Sequence, residues 1–173
     1  QEEQHNVDIL ENTLKLQSSQ AIIIESSFLD SISKKMELSI DQIRRHLNID
    51  SVYYTGIFSQ SIFTGDTVFY FSHGIKGAII DYDDQRNCLS KILLTFTPEG
   101  KNVDNKIIAR DCDRDESVGY TVLSYRLLND SSFISSETYV HPMKKNSVNK
   151  KENMWKINDN GLFIDVTAKC NAK

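Results

Sequence analysis

The chain has 173 residues, 39% hydrophobic and 25% charged, with a net charge of −4. That length suits one domain able to bury its own core, and the composition excludes a disordered chain. The mild acidity speaks against broad nucleic-acid binding, and no apolar run of about 18 residues is present to span a membrane as a helix.

In chain order, the first predicted element is a long amphipathic helix over 1–38. Val7, Leu10, Leu14, Ala21, Ile24, Phe28, Ile32 and Met36 form one stripe at helical spacing, and no Gly or Pro interrupts Val7 to Leu38. At about 1.5 Å per residue such a helix spans roughly 48 Å, more than the width of a domain this size. Ile22 and Ile23 widen the apolar surface beyond the stripe. That pattern reads either as a turn buried on several sides or as a second contact face. Ser39-Ile40-Asp41-Gln42 has the capping-box pattern, which starts a short helix over 39–48. From Ser51 the period changes to alternation, and 51–170 reads as mainly β. Predicted strands are Ser51–Phe58, Thr67–Ser72, Gly77–Tyr82, Lys91–Thr97, Lys106–Arg110, Gly119–Leu128, Ser132–Val140 and Leu162–Lys169. Turns are predicted at Thr64-Gly65-Asp66, His73-Gly74, Asp83-Asp84, Pro98-Glu99-Gly100, Asn129-Asp130 and Asn158-Asp159-Asn160-Gly161. The polar, basic stretch from His141 to Asn153 is predicted to be a loop. The expected fold is one α+β domain over 1–173, its long N-terminal helix packed on an antiparallel sheet.

The sequence holds few chemical signals. Asp111, Asp113 and Asp115 alternate as at the start of an EF-hand loop, which makes them calcium candidates. Glu116 stands where that loop needs Gly, and Val122 where it needs a bidentate Glu. Asp81, Asp83 and Asp84 form a second acidic turn. His73 and Cys88 are the one nucleophile–base pairing considered, and no local signature supports it. There is no phosphate loop, no Gly-x-Ser-x-Gly and no dinucleotide fingerprint, so the reading is non-enzymatic, without cofactor or metal. The aromatics Tyr53, Tyr54, Phe69, Tyr70 and Phe71 lack basic neighbours and read as core and sheet residues. The run Lys144, Lys145, Lys150 and Lys151 reads as a solvated loop.

Cysteines number three: Cys88, Cys112 and Cys170. Cys88 and Cys112 bracket two predicted strands joined by the Pro98–Gly100 turn, so folding that hairpin makes a disulfide between them feasible. Pairing of Cys170 with either, and three reduced thiols, remain as alternatives.

A long helix leading into a sheet, with Gly65-Asp66-Thr67-Val68-Phe69-Tyr70 and a region bracketed by Cys88 and Cys112 after it, resembles the larger minor pilins and type II secretion minor pseudopilins. The resemblance is one of architecture and quotes no specific motif. It implies a membrane helix preceding Gln1, a periplasmic or extracellular location, and a structural role in starting or capping a pilus or pseudopilus. Leu10, Leu14, Ile22 and Ile23 would then contact other pilin or pseudopilin subunits. The alternative expectation is an extracytoplasmic ligand-sensing domain of a membrane receptor.

Overall fold

The computed structural model describes residues 27–47, 61–85, 87–112, 119–129, 131–142 and 148–167. Helix α1 covers 27–33, followed by strand β1 (Glu37–Leu38) and helix α2 (Ile40–His46). Then come β2 (Ile62–Tyr70), β3 (Lys76–Asp83), β4 (Cys88–Phe96) and β5 (Asn102–Cys112). After them run β6 (Tyr120–Asn129), β7 (Ser132–Val140), β8 (Val148–Ile157) and β9 (Phe163–Asp165). The strands form one nine-stranded sheet in sequence order, every neighbouring pair antiparallel.

This corrects the α+β expectation of a long helix lying on the sheet. The described chain is a β-meander with two short helices, and residues 37–38, expected to be helical, pair as a strand with Phe63 and Thr64. Helix α1 stops because Lys35 adopts a left-handed conformation (φ 54°). Met36 N then donates to Ser31 O, and Lys35 N to Ile32 O, the paired bonds of a Schellman ending. Gly usually occupies that position, and a Lys there gave the sequence no stop signal. The part of the predicted helix before residue 27 lies outside the described residues.

Helix α2 forms as its capping box dictates. Gln42 N donates to Ser39 Oγ at 3.2 Å, and Ser39 N donates to Gln42 Oε1 at 2.8 Å. Ile43 and His46 are its buried residues.

Among the described residues the buried side chains form two cores. The first lies under the helices, where Phe28, Ile32, Ile43 and Leu47 meet Phe63, Ala78, Ile80, Tyr82, Ile92, Leu94 and Phe96. The second lies on the opposite face of β3 and β4. There Ile79 and Leu93 are buried with Ile108, Phe133 and Ile157, and Tyr125, Trp155 and Phe163 pack against them. Alternation explains the division: Ala78, Ile80 and Tyr82 point one way and Ile79 the other, so the central strands are apolar on both faces. The sheet therefore coils. Strands β6–β9 form a layer over the β2–β5 half, opposite the helices. The halves are joined where β5 runs beside β6, with Arg110 in register with Leu123.

Strand β8 corrects the expected loop from His141 to Asn153, because 148–153 pair in register with β7. Its polar residues, including exposed Lys150, Lys151 and Glu152, carry no apolar alternation. Backbone pairing to β7 holds them instead, and Lys150 bridges Glu152 at 2.7 Å.

His46 is buried and stacks on Phe28 at 4.2 Å between centroids. Burial, and secondarily the Arg45 charge, lower its pKa below the usual value. The folded protein therefore binds this proton less readily than the unfolded chain. The neutral-imidazole fold is fully favoured above about pH 6.5, and stability falls as pH drops from there towards the folded pKa. His46→Phe keeps the ring stack and removes the titration. Urea midpoints at pH 7.5 and 5.5 are expected to differ less in the variant than in the parent. Equal differences would show that His46 does not carry the effect.

Candidate binding groove at the turn end

An in-order antiparallel meander sends alternate connections to the same end. The β2–β3, β4–β5, β6–β7 and β8–β9 turns thus gather at one end of the sheet. Each is fixed by local chemistry. In the β4–β5 turn Gly100, at φ 97°, donates to Thr97 O at 2.9 Å, and Thr97 N donates to Lys101 O at 2.9 Å. In the β8–β9 turn Asn158 Oδ1 accepts from Asn160 N at 3.0 Å and from Leu162 N at 2.9 Å, an Asx-type closure.

Three of these turns are tied together. Thr95 Oγ1, fully buried in β4, donates to Gly161 O at 2.6 Å. Phe163 N donates to Asp104 Oδ2 at 3.1 Å, linking β9 to β5. His73 Nδ1 lies 3.1 Å from Asp159 Oδ1, joining the β2–β3 turn to the β8–β9 turn at the surface. Between them is an open groove of about 560 Å³, lined among others by Ile75, Thr97, Glu99, Asn102, Val103 and Asp159. That volume falls in the range of small-ligand sites, roughly 300–1,000 Å³. Ile75, Pro98 and Val103 supply apolar surface, while Glu99, Lys101, Asp159 and Asn160 supply charge and hydrogen-bonding groups. A hydrogen bond from Thr97, foremost, holds the Glu99 carboxyl below its ordinary pKa, so it is anionic at neutral pH. The groove offers donors and acceptors of both signs against a partly apolar floor, an arrangement suited to holding a polar molecule.

The sequence candidates lie elsewhere. Cys88 and Cys112 are directly paired in the β4–β5 ladder and joined as a disulfide. In the chain-entropy account a bridge across about 25 residues contributes about 3 kcal/mol. They sit at the sheet end opposite His73, so a His73–Cys88 nucleophile pair does not form. Asp111 lies in β5 opposite Leu89, while Asp113 and Asp115 fall outside the described residues. Among the described residues no group of three His, Cys, Asp or Glu side chains is placed to hold a metal. Leu10, Leu14, Ile22, Ile23 and Cys170 are also outside the described residues. The acidic turn has local work. Asp83 accepts from Gln85 N at 2.7 Å, and Asp84 accepts from Asn87 N and Cys88 N, both at 2.9 Å. Asp81 instead meets Lys91 at 2.6 Å, and Asp66 meets the same ammonium at 2.8 Å. Burial opposes the Lys91 charge, but the two carboxylates outweigh it and raise its pKa.

Sequence reading located the Pro98–Gly100 and Asn158–Gly161 turns without marking Glu99, Asn102 or Asp159 as a site. Comparison with protein-family models, with curated proteins and with solved structures gave no match.

Proposed function

We propose that this chain is an extracytoplasmic binding domain, a disulfide-fixed β-scaffold that presents the turn-end groove to a small polar ligand and performs no turnover. The observation that carries this reading is the convergence of turns from three separate hairpins on one groove, held by buried Thr95 and by Asp104. Loops set on a rigid sheet are where binding residues commonly reside. The Cys88–Cys112 bridge supports an oxidising compartment. The assembly-subunit expectation drew its architecture from a long helix packed along a sheet, whereas the described residues form a nine-stranded antiparallel meander whose turns are suited to carrying binding groups, which supports the ligand-sensing alternative.

Chemical-shift mapping of ¹⁵N-labelled protein against a library of small polar fragments tests the proposal. Bound fragments are expected to shift the backbone amides of 97–103 and 158–161. Fragments that consistently map to another surface, or a library without a single saturable binder, would overturn it.

A further inference from the structure

Two carboxylates border the turn-end groove, and they come from different hairpins. Glu99 stands in the β4–β5 turn and Asp159 in the β8–β9 turn, both exposed. The three turns that form the groove, 71–75, 97–101 and 158–162, are described throughout. Glu99 is kept ionised by the Thr97 hydrogen bond first, then by its own backbone amide and by the charge of Lys76. Asp159 meets His73 Nδ1 through Oδ1 at 3.1 Å. An ionised carboxyl only accepts, at about four lone-pair sites, so these contacts do not saturate either group.

Lys101, in the same turn as Glu99, is the cation among the described lining residues. Two carboxylates against one ammonium leave the described lining side chains with a single negative charge, which matches a ligand with a single positive one. Lys76 and His73 act on the two carboxylates without lining the groove. Their charges offset part of the negative field and so disfavour a more highly charged cation. Three further features narrow its chemistry. Among the described residues no three His, Cys, Asp or Glu side chains are grouped to hold a metal ion. No aromatic ring is among the described lining residues, whereas quaternary ammonium groups are typically held in aromatic cages. Ile75, Pro98 and Val103 offer apolar surface that methylene groups can cover.

We propose that the ligand of the turn-end groove is a small molecule with a protonated primary amine on a short aliphatic body, an assignment that rests on the binding role proposed for that groove. The ammonium has three donors and no acceptor, and it is met by the acceptor-only carboxylates of Glu99 and Asp159. Its carbon chain lies over Ile75, Pro98 and Val103.

The test compares matched butyl probes on the full ¹⁵N-labelled chain at one ionic strength: n-butylammonium, butyltrimethylammonium, butyrate and n-butanol. n-Butylammonium is expected to shift the amides of 97–103 and 158–161 saturably, and to bind several-fold more tightly than the other probes. Glu99→Gln and Asp159→Asn should each weaken it about two- to five-fold, the worth of an exposed charge pair. Both positions are exposed, so the fold is expected to tolerate either change. Glu99→Lys should turn the preference towards butyrate. Another probe binding at the same amides as tightly as n-butylammonium would overturn the primary-amine assignment and leave the groove reading standing. n-Butylammonium binding that neither Glu99→Gln nor Asp159→Asn weakens would overturn it in the same way. Shifts confined to other amides, or no saturable shift, would overturn it too. The groove reading itself then falls only if the fragment library also finds no binder at 97–103 and 158–161.

Discussion

Phe133→Ala is expected to destabilise the protein by about 3–5 kcal/mol, the cost of emptying a large aromatic site in a packed core. Phe133 is 1% exposed and sits in the second core. Its ring stacks on Trp155 at 6.4 Å and meets Phe163 edge-on at 5.9 Å. It therefore joins β7, β8 and β9 to the buried face of β3 and β4. The β5–β6 ladder joins the same two halves at Arg110 and Leu123, away from this buried face. A cavity at Phe133 falls on the main adhesion between the layers, where neighbouring strands cannot collapse inward without breaking register. Trp155 is the only tryptophan, so its emission reports on this seam. Urea unfolding followed by Trp155 fluorescence and by far-ultraviolet circular dichroism should show a large drop in midpoint. The native emission should move to the red. A loss under about 1 kcal/mol would mean that the layers are held by something other than this core.

The second large effect is expected at Gly65. A Cβ added there would lie 2.4 Å from Ile32 Cα and 2.6 Å from Ile32 O. Both are backbone atoms, so no rotamer relieves the overlap. Helix α1 would have to lift from β2, opening the first core around Phe28 and Ile32. Gly65→Ala is expected to cost about 3 kcal/mol, at the upper end for overpacking because the obstacle is main chain. Thr64→Ala, its half-buried neighbour, serves as the control and should lose far less. Equal midpoints for the two variants would show that α1 is not held against β2 as described.

Much of the sheet was legible because β-strands announce themselves locally. Lys76–Asp83, Cys88–Phe96 and Ser132–Val140 match predicted strands to within a few residues. Bulky β-branched and aromatic residues gather in those segments, and Gly, Pro and Asn-Asp punctuate them. Short-range hydrogen bonds made the Ser39–Gln42 capping box equally readable. Strand β8 was hidden for the converse reason. Residues 149–153 are uniformly polar, and their partner in β7 is remote from any local pattern.

Within the described residues the helix predicted over 1–38 breaks down at Lys35. Apolar spacing through Phe28, Ile32 and Met36 continues a helical stripe, yet Lys35 turns the chain left-handed and Leu38 enters the first core from a strand. Helical spacing records which residues can share a face, and it does not record where the backbone stops. The stop has its reward in tertiary contact, since it lets β1 pair with β2 and α2 pack Ile43 beside Phe28.

Local sequence was enough for the central strands β3, β4 and β7, for most of the turn residues and for the feasibility of a Cys88–Cys112 bridge, because each depends on groups within a hairpin of one another. The tertiary structure alone decided that the sheet coils into two layers, that α1 ends at 33, and that Glu99, Asn102 and Asp159 line one groove. Those outcomes rest on contacts such as Thr95 with Gly161 and Asp104 with Phe163, which join residues some sixty positions apart. No local propensity encodes such contacts; they form when two faces of one strand both need burial and the chain must fold back to cover the second.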